Sequence, residues 1–247
     1  MIAPQKSQPQ RFWKLVKCDA QNLARDPVLL MATVFSITPP PLFVAFRTNI
    51  DLLGLQLFQF PNLADLIGPL ALLMPAFLIG WVVGFLLLED RDDHTLLAIE
   101  TTSMGKTGFI TYRLGLACTL GAMLTLAAAV QIYPTMPIAL KVFLSFMVAL
   151  ETAIVALLLL ALAGNKVEGL ALSKILNLGL LFPLLTAIPS AWRLLGGIVP
   201  SFWIGELLNR SDFGEISALG AMIVTSVVHV CWLIYLLKVT ARRTEML

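Results

Sequence analysis

Long apolar runs alternate with short polar segments along the chain, and their lengths predict the architecture. A helix needs about 20 mostly apolar residues to cross a bilayer, and six runs come close to or exceed that length. They are predicted at residues 28–46, 66–88, 109–133, 138–163, 170–188 and 218–239. The pattern therefore predicts an all-α integral membrane fold with six transmembrane helices in a single domain, residues 1–247.

Two of the polar segments between these runs are predicted to be irregular. The first run contains Pro39, Pro40 and Pro41 in its outer half, where proline favours a bend, and residues 47–65 are predicted to be a loop. Residues 189–217 are too broken to span a bilayer and too apolar to leave it. We expect them to fold back into the outer interface as short re-entrant helices.

An amphipathic helix is predicted before the first span, at residues 11–25. Its apolar face contains Phe12, Val16 and Leu23, and lysines occupy another face, while Trp13 suits the level of the lipid headgroups. This combination is typical of a helix that lies in the membrane interface. The alternative is a basic tail that only sets the topology.

Composition and charge agree with a membrane protein and predict its orientation. Only 13% of the residues are charged, whereas soluble proteins carry about 25%. With both termini in the cytoplasm, four of the 17 Lys and Arg residues fall outside and the remaining 13 fall inside. The four outer residues are Arg47, Lys141, Arg193 and Arg210. The positive-inside rule therefore favours cytoplasmic termini.

The longest strongly charged interruption begins directly after the second span. We call residues 89–108 the coupling segment, and the side chains predicted to act there are Glu89, Asp90, Arg91, Asp92, Asp93, His94, Thr95, Leu96 and Ile99. The acidic residues are predicted to cap the amino end of a short helix and to pair with basic residues of a partner. A divalent-cation site is the alternative. On the inner side, such a segment is accessible to a cytoplasmic partner.

Two ionisable residues lie within predicted spans. Glu151 lies near the middle of the fourth span and His229 lies in the sixth. A carboxylate at that depth costs a few kcal/mol or more and should face protein or water. Glu151 is therefore a candidate for the transport path of a solute or proton, and a packing residue held by a hydrogen bond is the alternative. For His229 the alternatives are a hydrogen-bonded or pore-facing histidine and a proton relay.

Several other functions lack their motifs. The sequence Gly105-Lys106-Thr107 resembles the end of a phosphate-binding loop, but Glu100 occupies the position that requires glycine. No HExxH or GxSxG motif is present, and the three cysteines follow no metal-binding spacing. The sequence therefore predicts no catalytic residue, metal site, nucleotide site or nucleic-acid partner in this chain.

In layout the chain resembles the membrane subunit, or permease, of type-2 ATP-binding-cassette exporters. The amphipathic helix ends at Arg25-Asp26-Pro27, and the coupling segment contains Thr95-Leu96 after its acidic opening and is followed by Tyr112-Arg113. The segment 189–208 is similar to the family's re-entrant stretch. The residues are also similar to those of the drug-export branch.

This resemblance implies a division of labour between chains. A separate ATPase subunit would bind ATP and Mg and dock on the coupling segment, so this chain would be a transport subunit and not an enzyme. A second permease chain, identical or related, would pair with it in the inner membrane of a bacterium. The solute would be hydrophobic or amphiphilic, such as a drug, lipid or modified peptide. The alternatives are a proton- or ion-coupled carrier using Glu151 and a membrane protein without a transport role.

Overall fold

The structure, a computed structural model, describes residues 8–102, 104–209 and 218–245. Within these ranges the chain is helical and contains no strand. The α-helices are α1 (Gln8–Arg25), α2 (Pro27–Phe35), α3 (Pro39–Phe58), α4 (Leu63–Asp92), α5 (Thr95–Glu100), α6 (Gly105–Ile132), α7 (Ile138–Leu162), α8 (Lys166–Leu176), α9 (Pro200–Leu208) and α10 (Ala218–Glu245). Two 3₁₀ segments, Asn177–Ala187 and Ala191–Ile198, lie between α8 and α9.

The helices confirm the predicted all-α membrane fold. Five of them are long and apolar enough to cross a bilayer: α4, α6, α7, α10, and α8 together with the 3₁₀ segment that follows it. The pair α2 and α3 makes a sixth if it is one span, with a bend of 49° between its halves. The bend falls just before Pro39, because proline lacks the amide hydrogen that would continue the helix.

The predicted loop at residues 47–65 is wrong over most of its length. Helix α3 continues to Phe58 and ends only at Gln59, which takes a left-handed backbone conformation with φ of 53°. The prediction failed because it took charged residues as the end of the helix. No proline interrupts the sequence between Pro41 and Phe58, so the helix has no backbone reason to stop.

Tertiary partners satisfy the polar side chains on this extension of α3. Arg47 donates to the carboxylate of Asp65 at 2.6 Å and to the carbonyl oxygen of Ile132 at 3.1 Å. Asp51 accepts the backbone amide of Ala64 at 2.8 Å. The charged residues therefore fasten α3 to the start of α4 and the end of α6.

Helices α4 and α7 form the centre of the bundle. In their most apolar stretches 78% and 72% of the residues are buried, compared with 33% in α6 and 22% in α10. Glycines let α4 approach α7 closely: a Cβ atom at Gly80 would lie 2.6 Å from the carbonyl oxygen of Thr152, and one at Gly84 would lie 2.8 Å from Leu159 Cδ1. The other helices surround this pair.

The segment predicted to be re-entrant contains a 3₁₀ segment followed by α9. Arg193 on the 3₁₀ segment donates to Glu206 on α9 at 3.0 Å, and both side chains are largely buried. The indole of Trp203 donates to the carbonyl oxygen of Gly197 at 2.7 Å. These bonds hold the segment against itself, while residues 210–217 of the predicted segment lie outside the described residues.

Helix α1 covers the predicted amphipathic residues and ends at Arg25, as the following proline indicates. The side chain of Trp13 is exposed, those of Val16 and Leu23 are half-buried, and that of Phe12 lies outside the described residues. Leu23 packs against the core. Helix α1 therefore turns part of its apolar face toward the bundle.

Candidate docking site and buried charged pair

The backbone of the coupling segment differs from the prediction at its acidic opening. Helix α4 continues to Asp92, so the acidic residues form its last turn and do not cap the next helix. His94 occupies the capping position of α5, with a left-handed φ of 56° and no side-chain hydrogen bond to the helix. Carboxylates at a helix carboxyl end are unfavourable, and basic residues of other elements compensate for them.

The first of these basic residues is Arg113 on α6. Its Nη1 atom donates to Asp90, and its Nη2 atom donates to Asp19 on α1 at 2.8 Å. The hydroxyl of Tyr112 donates to the same Asp19 at 3.1 Å, and the guanidinium lies 4.5 Å from the ring centre of Phe109. This arginine cluster fastens the amphipathic helix to two spans.

Sequence reasoning missed Asp19 as a functional residue. One feature of the sequence could have indicated it, because Asp19 is the one acidic residue within the basic helix α1. Only the fold brings it to Arg113, which lies 94 positions further along the chain.

The second basic residue is Lys166 at the start of α8. Its ammonium group lies 2.8 Å from Asp26 and 3.1 Å from Glu89, and its backbone amide donates to Asp92 at 2.8 Å. The hydrogen bond from Lys166 lowers the pKa of Asp26, although burial opposes this effect. We call these four residues the lysine joint. It connects the α1–α2 junction, the end of α4 and the start of α8.

Arg91 connects the same turn to the end of α7. Its two terminal nitrogen atoms donate to the carbonyl oxygens of Leu160, at 3.3 Å, and Ala163, at 2.6 Å. Four consecutive charged residues, 89–92, therefore make bonds within the chain, where the sequence predicted a partner for them.

The rest of the coupling segment presents a surface around α5. Leu96 is 4% exposed and anchors the helix, Asp93 and His94 are exposed, and Leu97 is 43% exposed. Thr95 and Ile99 are half-buried. A cavity of about 400 Å³, which we call the docking cleft, is lined by Arg91, Asp92, His94, Leu96, Leu97, Lys106 and Gly164. It combines basic, acidic and apolar groups in an open recess.

The two ionisable residues of the spans lie against each other. His229 Nε2 is 3.0 Å from Glu151 Oε2, and the two side chains are 0% and 3% exposed. His229 Nδ1 lies 2.8 Å from the carbonyl oxygen of Thr225. Because a carbonyl oxygen only accepts, Nδ1 carries the hydrogen of this contact. The pair joins α7 to α10.

Among the residues that the structure describes, no group of three or more His, Cys, Asp or Glu side chains could hold a metal ion.

A bundle of helices long and apolar enough to cross a bilayer defines an integral membrane protein. The family of fluoroquinolones export permease proteins similar to Rv2686c matches residues 19–237, and the chain belongs to this family. It is therefore a drug-export permease of the ATP-binding-cassette type, which confirms the resemblance seen in the sequence.

Two relatives from Mycobacterium tuberculosis support this assignment. They are the fluoroquinolones export permease protein Rv2686c of strain H37Rv and its counterpart MT2760 of strain CDC 1551. Each is 27% identical to this chain in an alignment of 211 residues. The alignment covers 79% of this chain and 81% of the relative. No solved structure matches the chain.

Proposed function

We propose that this chain is the permease subunit of an exporter powered by a separate ATPase, which binds ATP and Mg and docks on the coupling segment. The observation that carries the proposal is the docking cleft. It is an open recess in which the half-exposed Leu97 lies among charged side chains. Such a surface fits a partner that contributes an apolar side chain.

The contacts around α5 provide a route from the ATPase to the spans. Leu96 anchors α5 in the bundle, so a displacement of α5 would move the ends of α4 and α6 next to it. The arginine cluster and the lysine joint connect those ends to α1, α2 and α8. Closure of the ATPase around ATP would thereby tilt several helices together and drive the solute outward.

The proposed solute is an amphiphilic drug of the fluoroquinolone type. The relatives are named for fluoroquinolone export. The spans of this chain are mainly apolar, which suits a solute with a large apolar part.

A second permease chain is proposed to pair with this one in a bacterial inner membrane. The apolar stretch of α10 is mostly unburied in the single chain. Large apolar side chains such as Leu219, Ile223 and Val227 are exposed along α10. A second copy or a related permease would cover part of this face, and lipid would cover the rest.

The proposal is tested by purifying the tagged chain in mild detergent from its native cells and identifying any ATP-binding-cassette ATPase that is recovered with it. Leu97→Asp places a charge in the docking cleft, and Leu57→Asp is the matched control, because Leu57 is an exposed leucine on α3. We expect the ATPase to be recovered with the natural chain and with Leu57→Asp but not with Leu97→Asp. If no ATPase is recovered with any of them, the proposal fails.

The second candidate function is a proton- or ion-coupled carrier, and the contact between Glu151 and His229 favours it. This pair places two ionisable groups in contact inside the bundle. The two functions are separated by measuring export after the ATPase is inactivated or after the proton gradient is collapsed. Export that depends only on the gradient would establish the carrier.

A further inference from the structure

A second cavity lies between the amphipathic helix and the spans. It has a volume of about 270 Å³, close to the lower limit of roughly 300 Å³ for small-molecule sites. Side chains from four helices line it, among them Val16 and Ala20 on α1, Thr33 on α2, Val83 on α4 and Leu120 on α6. Ala20 and Leu120 are exposed at its rim. The cavity, which we call the α1 cavity, is therefore an open and mainly apolar recess.

The polar end of the α1 cavity is formed by Asp19 and Arg113. Arg113 is 3% exposed, and its Nε atom is buried without a hydrogen-bond partner in the part of the chain that the structure describes. Buried polar groups nearly always have a partner. This N–H group is therefore available to an acceptor oxygen of a bound molecule.

The charges at this end select the kind of molecule that fits. Arg113 carries one positive charge, and the carboxylates of Asp19 and Asp90 that contact it carry two negative charges when ionised. A ligand with a net negative charge would add to this excess, whereas a protonated amine would balance it. The ligand that fits thus has an apolar body, an acceptor oxygen and an amine.

From these observations we infer that the α1 cavity is an entry site for the exported solute, an aromatic amphiphile with an acceptor oxygen and a protonated amine. The solute enters from the bilayer beside α1 and places its apolar ring between α1, α4 and α6. This inference rests on the proposed function, because it takes the occupant to be the transported molecule. It also explains why the entry site contacts the same arginine that fastens α1 to the spans.

The experiment measures the binding of norfloxacin, a fluorescent fluoroquinolone with both an amine and a keto-acid group, to the purified chain in phosphatidylcholine nanodiscs. Ala20→Phe and Val83→Phe each fill the cavity. Gln21→Phe adds the same ring to an exposed position of α1 outside the cavity lining. We expect the Kd for norfloxacin to rise by about tenfold or more in both filling variants, because the added phenyl ring occupies the space in which the drug would make its apolar contacts. The Kd should stay unchanged in Gln21→Phe.

The two filling variants differ in their risk to the fold. Val83 is buried, whereas Ala20 lies at the exposed rim. If Val83→Phe does not give a monodisperse protein, the affinity of Ala20→Phe alone tests the inference. A well-folded Ala20→Phe that binds norfloxacin with the same Kd as the natural chain overturns the inference.

Lipid is the other source of an amphiphile with an amine. If phosphatidylethanolamine in the nanodisc displaces norfloxacin from the natural chain, the cavity is a lipid site and the inference is overturned. Absence of norfloxacin binding to the natural chain overturns it as well. The comparison of ATPase recovery between the natural chain and Leu97→Asp requires no drug, so the proposed function can stand when this inference fails.

Discussion

Removing the guanidinium of Arg113 is expected to destabilise the chain more than any change at a surface ion pair. Arg113→Gln leaves Asp19 and Asp90 without their shared cation in a largely buried place, and breaking a buried pair in this way costs about 3–5 kcal/mol. The exposed pair of Arg47 and Asp65 provides the control, because such pairs contribute about 0–1 kcal/mol. Thermal unfolding in detergent measures both.

The expected order of melting temperatures is natural chain, Arg47→Gln and then, clearly lower, Arg113→Gln. Arg113→Lys should fall between the last two, since lysine keeps the charge but cannot donate to both carboxylates in the same fork geometry. Equal melting temperatures for Arg113→Gln and Arg47→Gln would contradict the structural role of the cluster.

Glu151→Gln is expected to preserve stability and export, because the amide can donate a hydrogen bond to His229 Nε2. Glu151→Leu leaves this nitrogen buried and unpaired, at a cost of about 1–3 kcal/mol. Thermal unfolding and drug export are measured on both variants, together with the activity of the ATPase.

The double variant Glu151→Leu/His229→Leu is the control for this pair. It removes both polar groups, so its loss of stability should be smaller than the summed losses of Glu151→Leu and His229→Leu measured separately. Loss of export in Glu151→Gln with the ATPase still active would instead assign the residue to the transport path.

At the scale of elements, the lysine joint should respond to acid. The hydrogen bond from Lys166 lowers the pKa of Asp26, so the ionised form is favoured in the folded chain. The stabilisation is therefore present above the unfolded pKa of about 3.9, and it is lost as the pH falls through the lower folded value. Asp26→Asn should lower the melting temperature at pH 5 to 8, and the difference should shrink below about pH 4.

Asp93→Asn is the matched control for this prediction, since it changes an exposed carboxylate next to the joint. Its melting temperature should follow that of the natural chain at every pH. A difference between Asp26→Asn and the natural chain that persists unchanged into acid would show that the carboxylate charge of Asp26 does not stabilise the joint.

The sequence predicts elements whose cause is local and misses those whose cause is tertiary. Apolar runs predicted the membrane helices, because length and hydropathy are properties of the segment itself. The extension of α3 was missed because Arg47 and Asp51 looked like loop residues until their partners on other helices were known.

The same distinction applies to the candidate sites. Glu151 and His229 were each singled out by their depth, but their mutual contact depends on how α7 packs against α10. The charged opening at residues 89–92 was expected to face a partner, and the fold directs it to Lys166, Arg113 and the end of α7. Exposure is set by tertiary packing and not by residue type.

At the scale of the whole molecule, two groups of charged contacts lie at opposite ends of the bundle. The arginine cluster, the lysine joint and the docking cleft lie together at one end. At the other end, Arg47 contacts Asp65 and the end of α6, and Lys141 donates to the carbonyl oxygen of Pro134. The positive-inside rule predicts the orientation in which the end with the docking cleft faces the cytoplasm.

The orientation predicts which cysteines a membrane-impermeant maleimide can reach. Cys18 is exposed on α1, next to Asp19 of the arginine cluster and at the same end of the bundle as the docking cleft, and Thr135 is exposed in the turn between α6 and α7. In a chain with Cys118→Ser and Cys231→Ser, we expect Cys18 to be labelled only after the membrane is permeabilised. When Cys18→Ser is added, Thr135→Cys should be labelled in intact spheroplasts. A permeant maleimide should label both and confirms that each thiol is reactive. The reverse pattern of labelling would place the docking cleft outside, where no ATPase supplied with cytoplasmic ATP could reach it.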